Sequence, residues 1–136
     1  MPHLVLTYTA DLEAETRFPA LCQQLAAALA KQCDADGRPT FPTGGIRVLA
    51  IPAAHSAVAD GKGEYGFLYA NLRIAGGREP DILKKTGDTL LDILKQHFDT
   101  ALARRPIGIT LQIDAEGKQV YDRKHSSLHP IFANKV

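Results

Sequence analysis

Tyr65-Gly66-Phe67-Leu68-Tyr69-Ala70-Asn71-Leu72-Arg73-Ile74, followed by Ala75-Gly76-Gly77-Arg78, is the stretch on which the fold turns. Leu68, Leu72 and Ile74 alternate with Tyr65, Phe67, Tyr69 and Arg73, the period of two that sends successive side chains to opposite faces of a strand. The glycine pair ends it. Pro80 then suits the first turn of a helix, where its missing N–H would have had no intrahelical partner. Ile82, Thr86, Leu90, Leu94 and Phe98 step by four along one face, so one long helix is expected to run as far as Arg104-Arg105. Their charges suit the negative end of the helix dipole. Pro106 stops the helix, and Ile107, Ile109, Leu111 and Ile113 alternate in a further strand. The second half reads strand, helix, strand.

The first half has the same order. From Pro2 to Tyr8, Leu4, Leu6 and Tyr8 share one face and His3, Val5 and Thr7 the other. Phe18, Leu21, Leu25 and Leu29 recur at helical spacing, with Pro19 in the first turn, and the helix is expected to continue through Cys33. Asp34 to Gly45, with two prolines and three glycines, forms a loop. Ile46, Val48 and Ile51 mark a second strand. Two tandem βαβ units, with parallel strands joined by right-handed crossovers, predict an α+β fold (an α/β sandwich): one four-stranded sheet with two helices on one face. The halves, about 1–60 and 61–136, form a single domain over 1–136, and about 115–136 reads as a C-terminal arm suited to docking on a neighbouring subunit. Apolar residues on both sheet faces make an uncovered face costly, so self-association is expected.

Composition sets the outer bounds. At 136 residues the chain is long enough to bury roughly two thirds of its unfolded surface without a disulfide or metal staple. A formal net charge of +1 gives no bulk field for nucleic acid, so anion recognition must come from local arginines. No apolar run approaches the roughly 20 residues of a membrane span, and the opening lacks signal-peptide features; the cytoplasm is the expected location. Cys22 and Cys33, about 16 Å apart along one helix, lie too far apart for a disulfide, which needs Cα atoms within about 7 Å.

The chain opens Met1-Pro2-His3-Leu4-Val5-Leu6. Removal of Met1 would make Pro2 a free secondary amine with a basic lone pair, whereas inside a chain the same nitrogen is an amide and has none. Pro2 is therefore a candidate general base. An α-amino group ordinarily titrates at about 8, and burial or nearby cations lower that value because both disfavour the charged form. A base poised near neutrality is effective at working pH.

Pro2-His3-Leu4-Val5, Gly45-Ile46-Arg47, Leu72-Arg73-Ile74-Ala75-Gly76-Gly77-Arg78 and the late His129 together resemble the 5-carboxymethyl-2-hydroxymuconate isomerases of the tautomerase (macrophage migration inhibitory factor-like) superfamily. The likeness spans nearly the whole chain and keeps the spacing between landmarks. It implies a homotrimer, enol–keto tautomerisation with a double-bond shift, no cofactor, and a place in aromatic-compound breakdown through homoprotocatechuate. It also implies that Pro2 is catalytic, taking a proton from the enol oxygen and delivering one to carbon. Arg47 and Arg78 stand at the family's arginine positions and are the expected substrate-binding residues. Each follows a glycine-containing turn, where backbone can approach a ligand closely, and a guanidinium fork binds a carboxylate through two parallel hydrogen bonds. His3, beside Pro2, is a further candidate for lining the pocket. His129 is expected to support structure or a subunit contact. The partners implied are a small anionic substrate and two further copies of the chain, with no nucleic acid and no membrane.

Other signals fail on context. Gly61-Lys62-Gly63-Glu64-Tyr65-Gly66 fits the dinucleotide pattern but precedes a strand instead of opening a helix. The five histidines contain no metal-ligand pair, so no metal is expected. Ser126-Ser127 beside His125 lacks the strand-turn-helix setting of a nucleophile elbow. The chain departs from the family at Thr7, where relatives often carry an acid, at Ile51-Pro52-Ala53-Ala54, and along Ala115 to Leu128. These positions bear on which 2-hydroxydienoate is handled more than on fold. The alternative function is a non-catalytic, trimeric tautomerase-like binding protein.

Overall fold

Leucines at every second position of the first strand and every fourth position of the first helix meet in one core. The computed structural model describes residues 1–115, 123 and 125–132. Its elements are β1 (His3–Thr9), a 3-10 turn (Ala10–Ala14), α1 (Phe18–Lys31), a second 3-10 turn (Thr43–Gly45), β2 (Arg47–Ala53), β3 (Gly66–Arg73), α2 (Pro80–His97), α3 (Asp99–Arg104), β4 (Ile107–Asp114) and α4 (His129–Phe132). Leu4 and Leu6 of β1, Leu68 and Leu72 of β3, Leu21, Leu25 and Leu29 of α1, and Leu90 and Leu94 of α2 are fully or almost fully buried together. Each such side chain contributes roughly 1.5–3 kcal/mol relative to exposure.

The strands order as β2-β1-β3-β4. β1 and β2 are parallel, as are β3 and β4, while β1 meets β3 antiparallel. Two βαβ units thus join along β1 and β3, with α1 and α2 on one face of the sheet. The open face carries side chains in rows: His3 between Arg47 and Arg73, Val5 between Leu49 and Asn71, Thr7 between Ile51 and Tyr69. Tyr69 donates to Gln112 at 2.7 Å and Asn71 to Asp114 at 2.8 Å, so the β3–β4 half of this face is polar and self-paired. Its other half is apolar, with Leu49 52% and Ile51 48% exposed.

Both helices end earlier than the sequence pattern predicts. α1 stops at Lys31, and Gln32 leaves it in an extended conformation because its side chain is used elsewhere: it is buried, donates to the Ala28 carbonyl and meets the Thr86 hydroxyl of α2 at 3.3 Å. Cys33 therefore lies outside the helix, in an isolated bridge with Pro39. Both cysteines are free. The long second helix breaks at Phe98 (φ −106°, ψ 11°), which is fully buried with its ring tilted 59° against Phe18 at 6.1 Å. Arg104 and Arg105 do more than face a dipole: Arg104 pairs with Glu15, and Arg105 with Asp11 and Glu15, clamping the first 3-10 turn over the start of β4. Burial opposes ionisation of Asp11, but hydrogen bonds from Thr9 and Arg105 outweigh it and hold the carboxyl below its usual range. That turn buries Leu12 and had no periodic signature.

Of the expected C-terminal arm, residues 116–122, 124 and 133–136 lie outside the described residues. Among the described residues no helix is long and apolar enough to cross a membrane.

Candidate active site at the start of β1

The parallel pairing of β1 with β2 brings the beginnings of both strands to one end of the sheet, and the antiparallel pairing with β3 brings the end of β3 there too. Pro2 is buried at that end. Its carbonyl accepts from the Arg47 backbone N–H at 3.0 Å, extending the ladder one residue beyond β1. Met1 lies on the 3-10 turn ahead of β2: a Cβ added at Gly45 would stand 3.2 Å from the Met1 nitrogen and 3.4 Å from its carbonyl oxygen. A Cβ at Gly44 would meet the Cα of His129 at 3.3 Å and the Phe132 ring at 3.5 Å. Two buried glycines therefore form a floor, with the chain start on one and α4 on the other.

Arg47 is half-buried and donates from Nη1 to the carbonyls of Gly44 and Ile46, at 2.8 and 2.9 Å. Its guanidinium thus braces the same floor. Arg78 follows the turn at Gly76-Gly77, where Gly77 takes φ +94° and a Cβ at Gly76 would strike the Ala115 carbonyl at 2.7 Å. Its Nη1 donates to Ala75 at 2.7 Å and its Nη2 to Thr40 at 3.2 Å, while the guanidinium carbon lies 5.0 Å from the Phe41 ring centroid. Burial lowers the Arg78 pKa, but a guanidinium stays charged across the working range. The loop from Thr40 to Gly45 therefore touches Arg78 at one end and Met1 at the other. Pro2, Arg47 and Arg78 thus lie around a single loop.

His3 is exposed on the open sheet face, one residue from Pro2. His129 sits nearer the site than its sequence position suggested. Ser126 holds it: the Ser126 hydroxyl oxygen accepts from the backbone N–H groups of Leu128 and His129 and lies 3.0 Å from His129 Nδ1. That Ser126 to His129 spacing is a capping signal. The stacking of Arg78 on Phe41 was invisible in sequence, because Phe41 stood in a proline- and glycine-rich stretch legible only as loop.

The discounted dinucleotide pattern stays outside this site. Gly61 to Gly66 runs into β3 and opens no helix. Burial pushes the Cys22 thiol up, away from reactivity. Among the described residues no group of three or more His, Cys, Asp or Glu is placed to hold a metal ion.

Known proteins converge on one family. The family model for 5-carboxymethyl-2-hydroxymuconate isomerase matches residues 2–132. A 5-carboxymethyl-2-hydroxymuconate Delta-isomerase from Escherichia coli is 26% identical over 132 residues, covering 97% of this chain and 99% of its own. A crystal structure of a 5-carboxymethyl-2-hydroxymuconate delta-isomerase superposes with a TM-score of 0.90 at 41% identity, covering 97% of this chain and 93% of that one. A 5-carboxymethyl-2-hydroxymuconate isomerase from Deinococcus radiodurans R1 gives 0.83 at 32%, covering 96% and 93%. At the level of fold alone, likeness extends to a macrophage migration inhibitory factor from Trichinella spiralis (TM-score 0.51, 16% identity, 88% and 95% covered) and to a fused 4-OT described as a symmetric trimer (0.55, 15%, 98% and 100%). With a family match over almost its full length and the same α+β architecture, the chain belongs to the 5-carboxymethyl-2-hydroxymuconate isomerase family.

Proposed function

We propose that this isomerase converts 5-carboxymethyl-2-hydroxymuconate, or a closely related 2-hydroxydienoate, from enol to ketone, with Pro2 as the proton carrier once Met1 is removed. The observation that carries the reading is the sheet register. It seats Pro2 beside Arg47 at one end of the sheet, with Met1 packed over Gly45 of the loop whose Thr40 carbonyl binds Arg78.

The chemistry follows from that placement. A free Pro2 amine takes the proton of the 2-hydroxyl as the enol collapses towards the ketone, and the resulting ammonium returns a proton to carbon at the far end of the dienol. One proton leaves oxygen, one arrives at carbon, and the amine is regenerated. The shuttle needs no cofactor. Arg47 and Arg78 bind the carboxylates and hold the dienol in register with the amine, which lowers the entropic part of the barrier. Their charges also favour the neutral amine and the enolate-like charge that develops on the substrate. His3 lines the rim.

Self-association completes the proposal. The open face exposes Leu49 and Ile51 in adjacent rows, and a trimer like the one that names the fused 4-OT would cover them and bring neighbouring chains against each site. The whole chain acts as one domain in this scheme, with residues 115–136 as an arm, and works in the cytoplasm on an intermediate of aromatic-acid breakdown. The test is an ultraviolet assay of 5-carboxymethyl-2-hydroxymuconate with protein whose intact mass shows Pro2 as its first residue. Turnover supports the isomerase; binding without turnover supports the alternative of a non-catalytic tautomerase-like binding protein.

A further inference from the structure

Resting on that reading of the site, we propose that His129 is a further catalytic residue, an imidazole whose Nε2–H donates to the substrate's C2 oxygen as that oxygen passes from enol to ketone. Counting hydrogen bonds at Ser126 assigns the ring's proton. A serine hydroxyl has two acceptor lone pairs and one proton to donate. The backbone N–H groups of Leu128 and His129, at 3.0 and 3.2 Å, take both lone pairs of Ser126 Oγ. What remains for His129 Nδ1, 3.0 Å away, is the hydroxyl's own proton. Nδ1 therefore accepts, and the neutral ring carries its hydrogen on Nε2.

Packing brings that donor to the turn ahead of β2. A Cβ added at Gly44 would stand 3.3 Å from His129 Cα and 3.7 Å from its Cδ2. Cδ2 is the ring atom bonded to Nε2, so with the Nδ1 edge turned to Ser126 the donor edge lies on the Gly44 side. The Gly44 carbonyl accepts from Arg47 Nη1 at 2.8 Å. Gly45, whose Cα is about 3.8 Å further along the chain, carries the chain start. A Cβ there would stand 3.2 Å from the Met1 nitrogen and 3.6 Å from the Met1 carbonyl carbon, the atom bonded to the Pro2 nitrogen. His129, the Arg47 guanidinium and the nitrogen of Pro2 thus converge on two successive residues of one turn.

The reaction leaves a task for such a donor. Arg47 and Arg78 hold carboxylates, while negative charge grows on the C2 oxygen as its proton passes to Pro2. A hydrogen-bond donor fixed in advance stabilises that charge without having to reorganise. His129 is half-buried and held from behind by Ser126, which suits it to this role. Wild-type protein with Pro2 free is assayed first on 5-carboxymethyl-2-hydroxymuconate; absence of turnover overturns the reading of the whole site before any variant is made. His129→Phe keeps a ring against Gly44 but has no donor, and its kcat is expected to fall about a hundredfold with KM little changed, in line with the loss of one such donor. His129→Gln offers an amide N–H close to the place of Nε2 and is expected to regain about tenfold of that loss. Wild-type kcat in His129→Phe, or equal impairment of the two variants, overturns the assignment. The tautomer is read separately in the unaltered protein by nitrogen NMR of the neutral ring, with the His129 signals identified by their loss in His129→Gln. A proton on Nε2 is expected, and a proton on Nδ1 overturns the proposal however the variants fold.

Discussion

At the scale of single residues, the site depends on what surrounds one nitrogen. In the sequence, Pro2, Arg47 and Arg78 stood out through the family resemblance, to which the Met-Pro start and the arginines after glycine-containing turns contribute as local features. What the sequence left hidden was tertiary: Arg78 over Phe41, His129 against Gly44, and Arg73 passed over by Asp114. Arg73 was legible only as a strand residue, since which residue Asp114 pairs with depends on Asn71 of β3 reaching it on the adjoining β4. Electrostatics gives a prediction at this scale. A base must be neutral to accept a proton, so activity rises as pH increases through the amine's pKa. Replacing Arg47 by Gln removes a cation that disfavours the ammonium, so this rising limb moves to higher pH and KM increases. A pH profile of kcat/KM that keeps its limb in Arg47→Gln argues against electrostatic contact between the two groups.

At the scale of elements, alternation located all four strands to within one or two residues, because one face of each is packed beneath helices. Helix ends were less legible. Leu94 and Phe98 continue the helical step through the break between α2 and α3, and only the packing of Phe98 on Phe18 ends it. The 3-10 turn after β1 is likewise a tertiary product, fixed by the Arg104 and Arg105 pairs and by Tyr8. The Tyr8 hydroxyl donates to Glu13 at 2.6 Å, and its ring stacks on Phe18 at 4.0 Å. Burial, then the hydrogen bond and charge of Glu13, push the Tyr8 pKa up from 10.0 to about 12. The folded state therefore holds this proton more tightly than the unfolded state. The associated stability is present below pH 10 and is lost as pH rises towards 12. Tyr8→Phe removes this term, so denaturant melts at pH 9 and pH 11.5 differ less for the variant than for the wild type. Equal pH sensitivity in the two proteins would dissociate Tyr8 from alkaline unfolding.

At the scale of the whole molecule, the sheet is finished on one side and unfinished on the other. The helices cover the face built by Leu4, Leu6, Leu68 and Leu72, while Leu49 and Ile51 remain in solvent beside Val5 and Thr7. That apolar side chains would be left exposed on this face was readable from apolar residues on both faces of the strands. Which rows meet was not, because it depends on register. Introducing a charge at the centre of the apolar rows should prevent burial of this face without touching the core: Ile51→Lys is expected to sediment as a monomer with an unchanged circular dichroism spectrum, and to lose most activity if neighbouring chains complete each site. Retention of the wild-type assembled mass in Ile51→Lys would move the interface elsewhere.

All of the proposed chemistry depends on whether the nitrogen of Pro2 is an amine or an amide. The most direct measurement compares two homogeneous samples, assigned by intact mass, one beginning at Pro2 and one retaining Met1, in the same ultraviolet assay. General acid–base catalysis by a positioned group contributes about 10²–10⁴-fold, so the sample retaining Met1 is expected to turn over at least about a hundredfold more slowly. Equal turnover in the two samples would contradict the central claim.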